Sequence, residues 1–472
     1  MIKVVSLHLK LAKRLNNLVK EIWEYEQVTS VQFWDLAVLP LMILIIFLIG
    51  AYRKTKNINK FPEYKFYMWG LYSRIFGVVF FCIIYIYYYG GGDTTAYFES
   101  SMAMANLFYK DPEAYFKVLF SAPSKEIRSL FDDTTGYPYS YLFYDSKTFM
   151  VLRLISPFTI ITNKSYLLTS ILVSFITYGG VWRLFTFFYK YYPEIQSRLA
   201  FAILYFPSLL FWGTGILKDT FTLYGTTLVA FYAHEIFITK NRSSKNIIML
   251  LLGLFLIVKI KPYIFMVLFP GTLLWIFYNR IIKLKNGFII MLLSPVFIFG
   301  LGLLSYVVMM SLGDSLDKFS LDNALKTAAE AQMDLKQSYY GGASFDIGDY
   351  DGTLAGAFKL FPAATVAGLF RPFVWEGGSI VLLLAGIENF LILSFTLYIL
   401  FKARIINAVR LIVKHPLLFY CFLFSIFFAF IVGLTTSNFG ALVRFKIPLI
   451  PFLVGGLFII DYLWKKEKRY KK

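Results

Sequence analysis

The stretch Gly90-Gly91-Gly92-Asp93-Thr94-Thr95-Ala96-Tyr97-Phe98-Glu99 follows the apolar run from Trp69 to Tyr89 and opens a polar segment that extends to residue 149. A continuous apolar run that ends in glycines and an acid is typical of a membrane helix that reaches water. An acid at that boundary could act on a substrate carried by a lipid. The same alternation of apolar runs and charged connections extends along the whole chain.

The composition indicates an integral membrane protein. Of the 472 residues, 58% are hydrophobic and only 16% are charged, and the mean hydropathy is +0.63. Several runs approach the roughly 20 residues that a helix needs to cross about 30 Å of hydrocarbon. These runs are continuously apolar and do not alternate, which favours helices over barrel strands. We therefore expect an all-α, polytopic helical bundle in the membrane.

About eleven transmembrane helices are predicted, some of them shorter than the roughly 20 residues of a full crossing. They are Phe33 to Gly50, Trp69 to Tyr89, Tyr166 to Phe187, Leu199 to Trp212, Phe221 to Ile238, Ile247 to Val258, Tyr263 to Tyr278, Phe288 to Met310, Ile380 to Phe401, Pro416 to Leu434 and Ile447 to Leu463. The run from Met150 to Ile161 is either a short span or a surface helix. We expect an amphipathic interfacial segment at 1–32, a single transmembrane domain at 33–463 and a basic cytoplasmic tail at 464–472.

The formal charge of +19 indicates membrane topology, and we predict no nucleic-acid partner. Lysine and arginine concentrate in the short connections between apolar runs, as the positive-inside rule requires of cytoplasmic loops. With these loops inside, residues 90–149 and 311–378 become two long outer-face segments that contain short helices. The candidate residues for chemistry then collect on the outer face.

Asp93 and Lys218 are the first candidates. An Asp after three glycines can cap the following helix, and the same position would hold a carboxylate at the membrane surface, so both roles stay open. Lys218-Asp219 follow Gly213 and Gly215 in a tight turn. Lys218 is either a snorkelling anchor or a phosphate contact, because the glycines would let a phosphate approach the amides of the next helix.

Later motifs place charges at or within apolar runs. Arg371, near Glu376, offers a planar fork suited to phosphate oxygens. Glu388 lies inside a predicted span, where a carboxylate is costly and either pairs with a base or takes part in the mechanism. Arg444 and Lys446 approach the last span from the outer face and either anchor to anionic headgroups or bind a substrate. An acid with several cations fits an anionic substrate that carries phosphate.

Four short motifs carry a resemblance, and they are Gly92-Asp93 with Tyr97, Lys218-Asp219, Arg371-Pro372 with Glu376, and Arg444 to Pro451. Together with two large outer loops, they resemble the GT-C superfamily of polytopic glycosyltransferases and related membrane proteins of bacterial polysaccharide and O-antigen clusters. The chain departs from the best-known GT-C pattern because Asp93 follows the second predicted span and is followed by Thr94, where a paired Asp-Glu is usual.

The resemblance implies a glycosyltransferase of the bacterial inner membrane, with its active site on the periplasmic or extracellular face. It would move a sugar from a polyprenyl-phosphate carrier to a glycan, lipid or protein acceptor. Asp93 would be the general base. The carrier phosphate would be held by the cations, and the remaining residues would support them. The cations are Lys218, Arg371, Arg444 and Lys446, and the supporting residues are Asp219, Glu376, Glu388 and Tyr97.

Two other functions stay open. One is a polysaccharide or O-antigen polymerase or ligase that acts on diphosphate-linked oligosaccharides. The other is a flippase or transporter of an anionic lipid or glycan, which needs polar residues along a path through the membrane. No organic cofactor and no metal-ligating residue are predicted, since the cysteines and histidines lack ligand spacing. A divalent cation on outer-loop acids such as Asp346 and Asp349 is left open.

Overall fold

The computed structural model of the protein describes residues 31, 33–282, 321–337 and 344–470. These residues form helices joined by short connections, and no β-strand occurs among them. Ser344 and Asn438 form an isolated antiparallel bridge. The all-α prediction is therefore confirmed for this part of the chain.

The α-helices of the described residues are numbered here in chain order. They are α1 Phe33–Asn57, α2 Tyr67–Ile83, α3 Asp93–Lys110, α4 Pro112–Phe120, α5 Lys125–Arg128, α6 Ser140–Tyr144, α7 Ser146–Ile161, α8 Tyr166–Tyr191, α9 Gln196–Leu204, α10 Pro207–Phe211, α11 Lys218–Ala233, α12 Ser244–Ile260, α13 Pro262–Ile282, α14 Leu321–Asp334, α15 Leu354–Phe370, α16 Ile380–Ala403, α17 Ile405–Lys414, α18 Pro416–Thr435, α19 Phe439–Phe445 and α20 Ile450–Tyr470.

Within the described residues, six helical segments are long and apolar enough to cross a membrane, so the protein is membrane-embedded. They are Phe33–Asn57, Pro62–Tyr88, Tyr166–Tyr191, Ile380–Ala403, Pro416–Thr435 and Phe439–Arg469. The predicted span from Phe288 to Met310 and nearly all of the predicted interfacial segment 1–32 lie outside the described residues. The count of eleven spans is therefore not confirmed.

The predicted span from Leu199 to Trp212 is not one continuous helix. It consists of the end of α9 and the whole of α10, which are separated at Tyr205 and Phe206. Pro207 causes the break because it has no amide hydrogen to donate and is favoured at the first position of a helix. The break leaves the first amides of α10 in need of a partner among apolar helices.

The described chain divides into two compact units. The first consists of residues 33–59, Arg74–Ile176 and Thr214–Lys218, and the second of Lys60–Ser73, Thr177–Gly213 and the described residues from Asp219 onward. In the first unit, α3 packs against α4 and α7. Hydroxyl groups join these helices: Ser101 hydrogen-bonds Thr159 at 2.9 Å, and the Tyr115 hydroxyl hydrogen-bonds Ser156 at 3.1 Å. These contacts hold the middle of α3 and α4 against α7.

In the second unit, α15 and α18 pack backbone to backbone. A Cβ on Gly433 would collide with the carbonyl of Ala364, and a Cβ on Gly368 would collide with the carbonyl of Ala429. Small residues allow this close approach between helices in membranes. The apolar α15, which is 17 residues long, lies in the range 311–378, which we predicted as an outer-face segment that contains short helices.

Candidate functional site

Three consecutive glycines of the first unit shape the turn before Asp93. Gly90, Gly91 and Gly92 have φ angles of 63°, 125° and 140°, which glycine adopts far more readily than any other residue. Gly92 occupies the N-cap position of α3, and Asp93 is the first helical residue. The capping contacts come from Thr95, whose Oγ1 accepts from the Gly92 amide at 3.0 Å. Asp93 is therefore not the N-cap residue, and its side chain is exposed.

Two aromatic rings bring the predicted acid and the predicted lysine into one region of the first unit. The Tyr85 ring lies beside Gly92, where a Cβ would come within 3.1 Å of it. The Phe81 ring lies 4.5 Å from the Tyr85 ring, centroid to centroid. Phe81 also fills the space that a Cβ on Gly215 would need. The Gly92 turn thus packs against Tyr85 and the Gly215 turn against Phe81, and the two rings contact each other. Lys218 follows three residues after Gly215.

Lys218 forms an ion pair with Asp145, a residue that the sequence analysis did not select. The Lys218 Nζ lies 3.2 Å from the Asp145 Oδ2, and the two side chains are 23% and 43% exposed. Asp145 is the N-cap residue of α7 and accepts from the Thr148 amide at 3.2 Å. Burial alone would raise the pKa of Asp145, but the charge of Lys218 and the Thr148 hydroxyl leave it below its ordinary value. A substrate phosphate at Lys218 would therefore compete with a carboxylate.

Glu99 is a second carboxylate on α3 that the sequence analysis did not select. Its Oε2 accepts from the Tyr139 hydroxyl at 2.6 Å. Its Oε1 is buried and has no hydrogen-bond partner among the described residues. Burial raises the pKa of Glu99 to about 7, although the Tyr139 hydrogen bond opposes the change. A carboxyl group of this kind is suited to general acid–base chemistry near neutral pH. Glu99 is recognisable as a candidate from its burial and its hydrogen bond, and not from the sequence around it.

In the second unit, Arg371 is held by its neighbours. Its Nε donates to Glu376 Oε1 at 3.0 Å, and its second guanidinium nitrogen also contacts Glu376. The guanidinium centre lies 4.6 Å from the centroid of the Phe345 ring and 5.5 Å from that of Phe439. Such stacking is favourable for arginine. The Arg371 guanidinium, which we predicted to bind phosphate, therefore binds Glu376, which we predicted as a supporting residue.

Lys446 is buried in the second unit, with 2% of its surface exposed. Its Nζ donates to the Asn389 Oδ1 at 2.6 Å and to the Arg371 carbonyl at 3.0 Å. The Asn389 amide donates to the Pro372 carbonyl at 3.1 Å. The structure thus brings the predicted residues Arg371 and Lys446 together. A substrate would have to displace these hydrogen bonds to reach the Lys446 ammonium.

Glu388 caps α10 from within α16. Its Oε2 accepts from the Ser208 backbone amide at 2.9 Å, and its Oε1 accepts from the Ser208 hydroxyl. The carboxylate therefore satisfies the Ser208 amide, one of those that the break at Pro207 exposes. We expected Glu388 either to pair with a base or to take part in the mechanism. Its contact with Ser208 explains an acid within this apolar helix without an ion pair.

Asp219 joins two cations in the second unit. Its side chain is fully buried, with Lys261 Nζ bound to Oδ1. Oδ2 lies 3.5 Å from the Arg444 Nε. The Lys261 ammonium also lies 3.9 Å from the centroid of the Phe445 ring. Arg444, which we predicted to bind phosphate, therefore faces a buried carboxylate.

Asp346 and Asp349, the acids that we predicted in an outer loop, both contact Lys336, whose Nζ lies 3.0 Å and 3.1 Å from their carboxylate oxygens. Among the described residues, no group of three or more His, Cys, Asp or Glu side chains is placed to hold a metal ion.

The comparisons with known proteins add no constraint on the function. No protein-family model matches the chain, and neither a curated protein nor a solved structure shows significant similarity to it.

Proposed function

We propose that the protein is a membrane glycosyltransferase that uses a polyprenyl-phosphate-linked sugar at the outer face of a bacterial inner membrane. The observation that carries this proposal is the packing of the Gly92 and Gly215 turns against Phe81 and Tyr85. It supports a site in which Asp93 and Lys218 act near the end of an apolar helix. The acceptor would be a glycan, a lipid or a protein.

In the proposed reaction, Asp93 takes the proton of the acceptor hydroxyl as the hydroxyl oxygen forms a bond with the anomeric carbon. The bond between that carbon and the carrier phosphate oxygen breaks, and its electron pair stays on the phosphate. Lys218 stabilises the charge that develops on the leaving phosphate. For this contact the phosphate displaces Asp145 or joins it beside the ammonium. No step of this reaction is assigned to Arg371, Arg444 or Lys446, which contact protein groups of the second unit.

Glu99 is a second candidate for the proton transfer, because its pKa of about 7 suits a general base or acid. Comparison of Asp93→Asn with Glu99→Gln distinguishes the two assignments. If Asp93 is the base, transfer by Asp93→Asn falls by about 10²- to 10⁴-fold, whereas Glu99→Gln retains more activity. The reverse order would transfer the role to Glu99.

The test is transfer from radiolabelled polyprenyl-phosphate sugars to membrane extract by the purified full-length protein in proteoliposomes. Asp93→Asn is compared with Asp133→Asn, which changes an exposed loop acid, and Lys218→Gln with Lys125→Gln, which changes an exposed lysine of the same unit. We expect both controls to retain wild-type transfer. No transfer from any donor by folded protein would overturn the glycosyltransferase proposal and favour the polymerase or flippase alternatives.

A further inference from the structure

A basic cavity lies in the second unit, where the end of α20 meets the start of α9. Its volume is about 510 Å³, which is within the range of small-ligand sites. The charged side chains that line it are four cations, Arg198, Lys465, Lys466 and Arg469, and one acid, Glu194. A cavity with this excess of positive charge favours an anionic ligand.

The acid behind the cavity does not neutralise the cations. Asp461 is buried, and its Oδ2 contacts both the Arg198 guanidinium at 2.9 Å and the Lys465 ammonium. One carboxylate shared by two cations leaves a net positive charge. Lys466 and Arg469 add two further charges on the exposed side. The ion pairs therefore orient the cations of the wall and leave an excess for a ligand.

Backbone amides add to this preference. Gln196, Ser197 and Arg198 form the first turn of α9 and line the cavity. The Gln196 amide donates to the Pro193 carbonyl, and Ile195, the N-cap residue, has no side-chain oxygen to accept from the amides of Ser197 and Arg198. The amino-terminal end of a helix attracts anions through its amides and its dipole. The helix start thus reinforces the cation cluster.

The residues around the cavity are of the kinds found at a membrane surface. Tyr462, which lines it, belongs to a helical segment that is long and apolar enough to span a bilayer, and tyrosine is enriched where such spans meet the headgroups. In α17, Ile406 and Val409 are exposed, while Arg410 forms an ion pair of 2.6 Å with Glu467 of α20. An amphipathic helix with an exposed apolar face is typical of the interface. The ion pair between Arg410 and Glu467 joins the last turns of α20 to α17.

We propose that this cavity binds the phosphate of an anionic phospholipid headgroup. The lysines and arginines would contact the phosphate oxygens, and Tyr462 would lie at the junction of headgroup and acyl chain. The positive-inside rule assigns this end of α20 to the cytoplasmic side, where anionic lipids attract basic clusters. This inference does not depend on the glycosyltransferase proposal.

The test is native mass spectrometry of the delipidated full-length protein titrated with phosphatidylglycerol, with phosphatidylcholine and, separately, with inorganic phosphate. The variants are Lys466→Gln and Arg469→Gln, and the matched control is Lys468→Gln, which removes a neighbouring charge outside the cavity. Arg198 is left unchanged because its partner Asp461 is buried. Size-exclusion chromatography confirms that each variant is folded.

We expect phosphatidylglycerol to bind more tightly than phosphatidylcholine and each cavity variant to weaken it about fivefold, with no change for Lys468→Gln. Equal binding of the two lipids would overturn the proposal. Equal weakening by Lys468→Gln would also overturn it, because it would indicate diffuse attraction to the whole helix end. If inorganic phosphate binds as tightly as phosphatidylglycerol, the ligand is a free anion and the lipid assignment is refuted.

Discussion

Replacing Glu99 by glutamine tests whether α3 carries a carboxyl group that is protonated near neutral pH. The wild-type group has a pKa of about 7 in place of 4.5, mainly because it is buried. The glutamine side chain has nearly the same shape and still offers an oxygen to the Tyr139 hydroxyl, but it cannot titrate. The substitution therefore removes the ionisation and keeps the hydrogen bond.

The sign of the effect on stability follows from proton binding. Below pH 4.5, Glu99 is protonated in both the folded and the unfolded chain, and its ionisation has no cost. Between pH 4.5 and about 7, the unfolded chain releases the proton while the folded protein keeps it, so the stability of the wild type decreases as pH rises. Above pH 7 both states are ionised, and the cost reaches its full value of about 3 kcal/mol.

The assay is pH-titrated infrared difference spectroscopy of wild-type protein against Glu99→Gln, which isolates the carbonyl stretch of one protonated carboxyl group. We expect this band to disappear with a midpoint near pH 7. The Tm of Glu99→Gln relative to wild type should rise over the same range. Tyr139→Phe removes the hydrogen bond that favours the ionised form, so its midpoint should move to higher pH.

Tyr141→Phe is the matched control for Tyr139→Phe, because Tyr141 is exposed and its ring lies 5.9 Å from the Tyr139 ring. It should leave the midpoint unchanged. A midpoint near the ordinary pKa of glutamate, about 4.3, would refute the inference that Glu99 is buried enough to hold a proton. A lower midpoint in Tyr139→Phe would refute the assigned role of the hydrogen bond.

Three further predictions concern stability, with the Tm of the purified protein as the measurement. Gly433→Leu should destabilise the packing of α15 and α18 by about 1–3 kcal/mol, and an unchanged Tm would contradict the close packing. Asp219→Asn should cost about 3–5 kcal/mol because Lys261 then faces a neutral amide, and Lys261→Met in that background should restore part of the loss. Ser208→Ala should cost about 1–3 kcal/mol because Glu388 loses a hydroxyl donor, and wild-type stability would contradict the capping role.

The positions of most membrane helices were predictable because a helix in lipid satisfies its own backbone and shows a continuous apolar run. α15 was not singled out as an apolar helix, and the reason is physical. Lys359 and Pro362 interrupt its run, and much of the rest is alanine and glycine, which contribute little hydrophobicity. Those same small residues allow the close approach to α18, so the feature that positions the helix also weakens its signal.

The charged residues were predictable as costly groups, but most of their partners were not. Glu388 lies 180 positions from Ser208 in the chain, and no local pattern connects them. Arg371 and Glu376 are five residues apart, and both were selected within one motif. Glu99 stood in the stretch that marks the end of the apolar run, yet its hydrogen-bond partner Tyr139 is 40 positions away.

The exposure of the ion pairs ranks the predicted phosphate-binding cations. Lys218 and Asp145 are 23% and 43% exposed, so water can solvate a displaced Asp145 and the exchange of partners costs little. Arg444 and Asp219 are 15% and 0% exposed. Separating them would leave the buried Asp219 carboxylate with one compensating cation fewer. Lys218→Gln should therefore raise the KM for the donor with little change in Tm, whereas Arg444→Gln should mainly lower the Tm. The opposite pattern would identify Arg444 as the phosphate ligand and Lys218 as a structural residue.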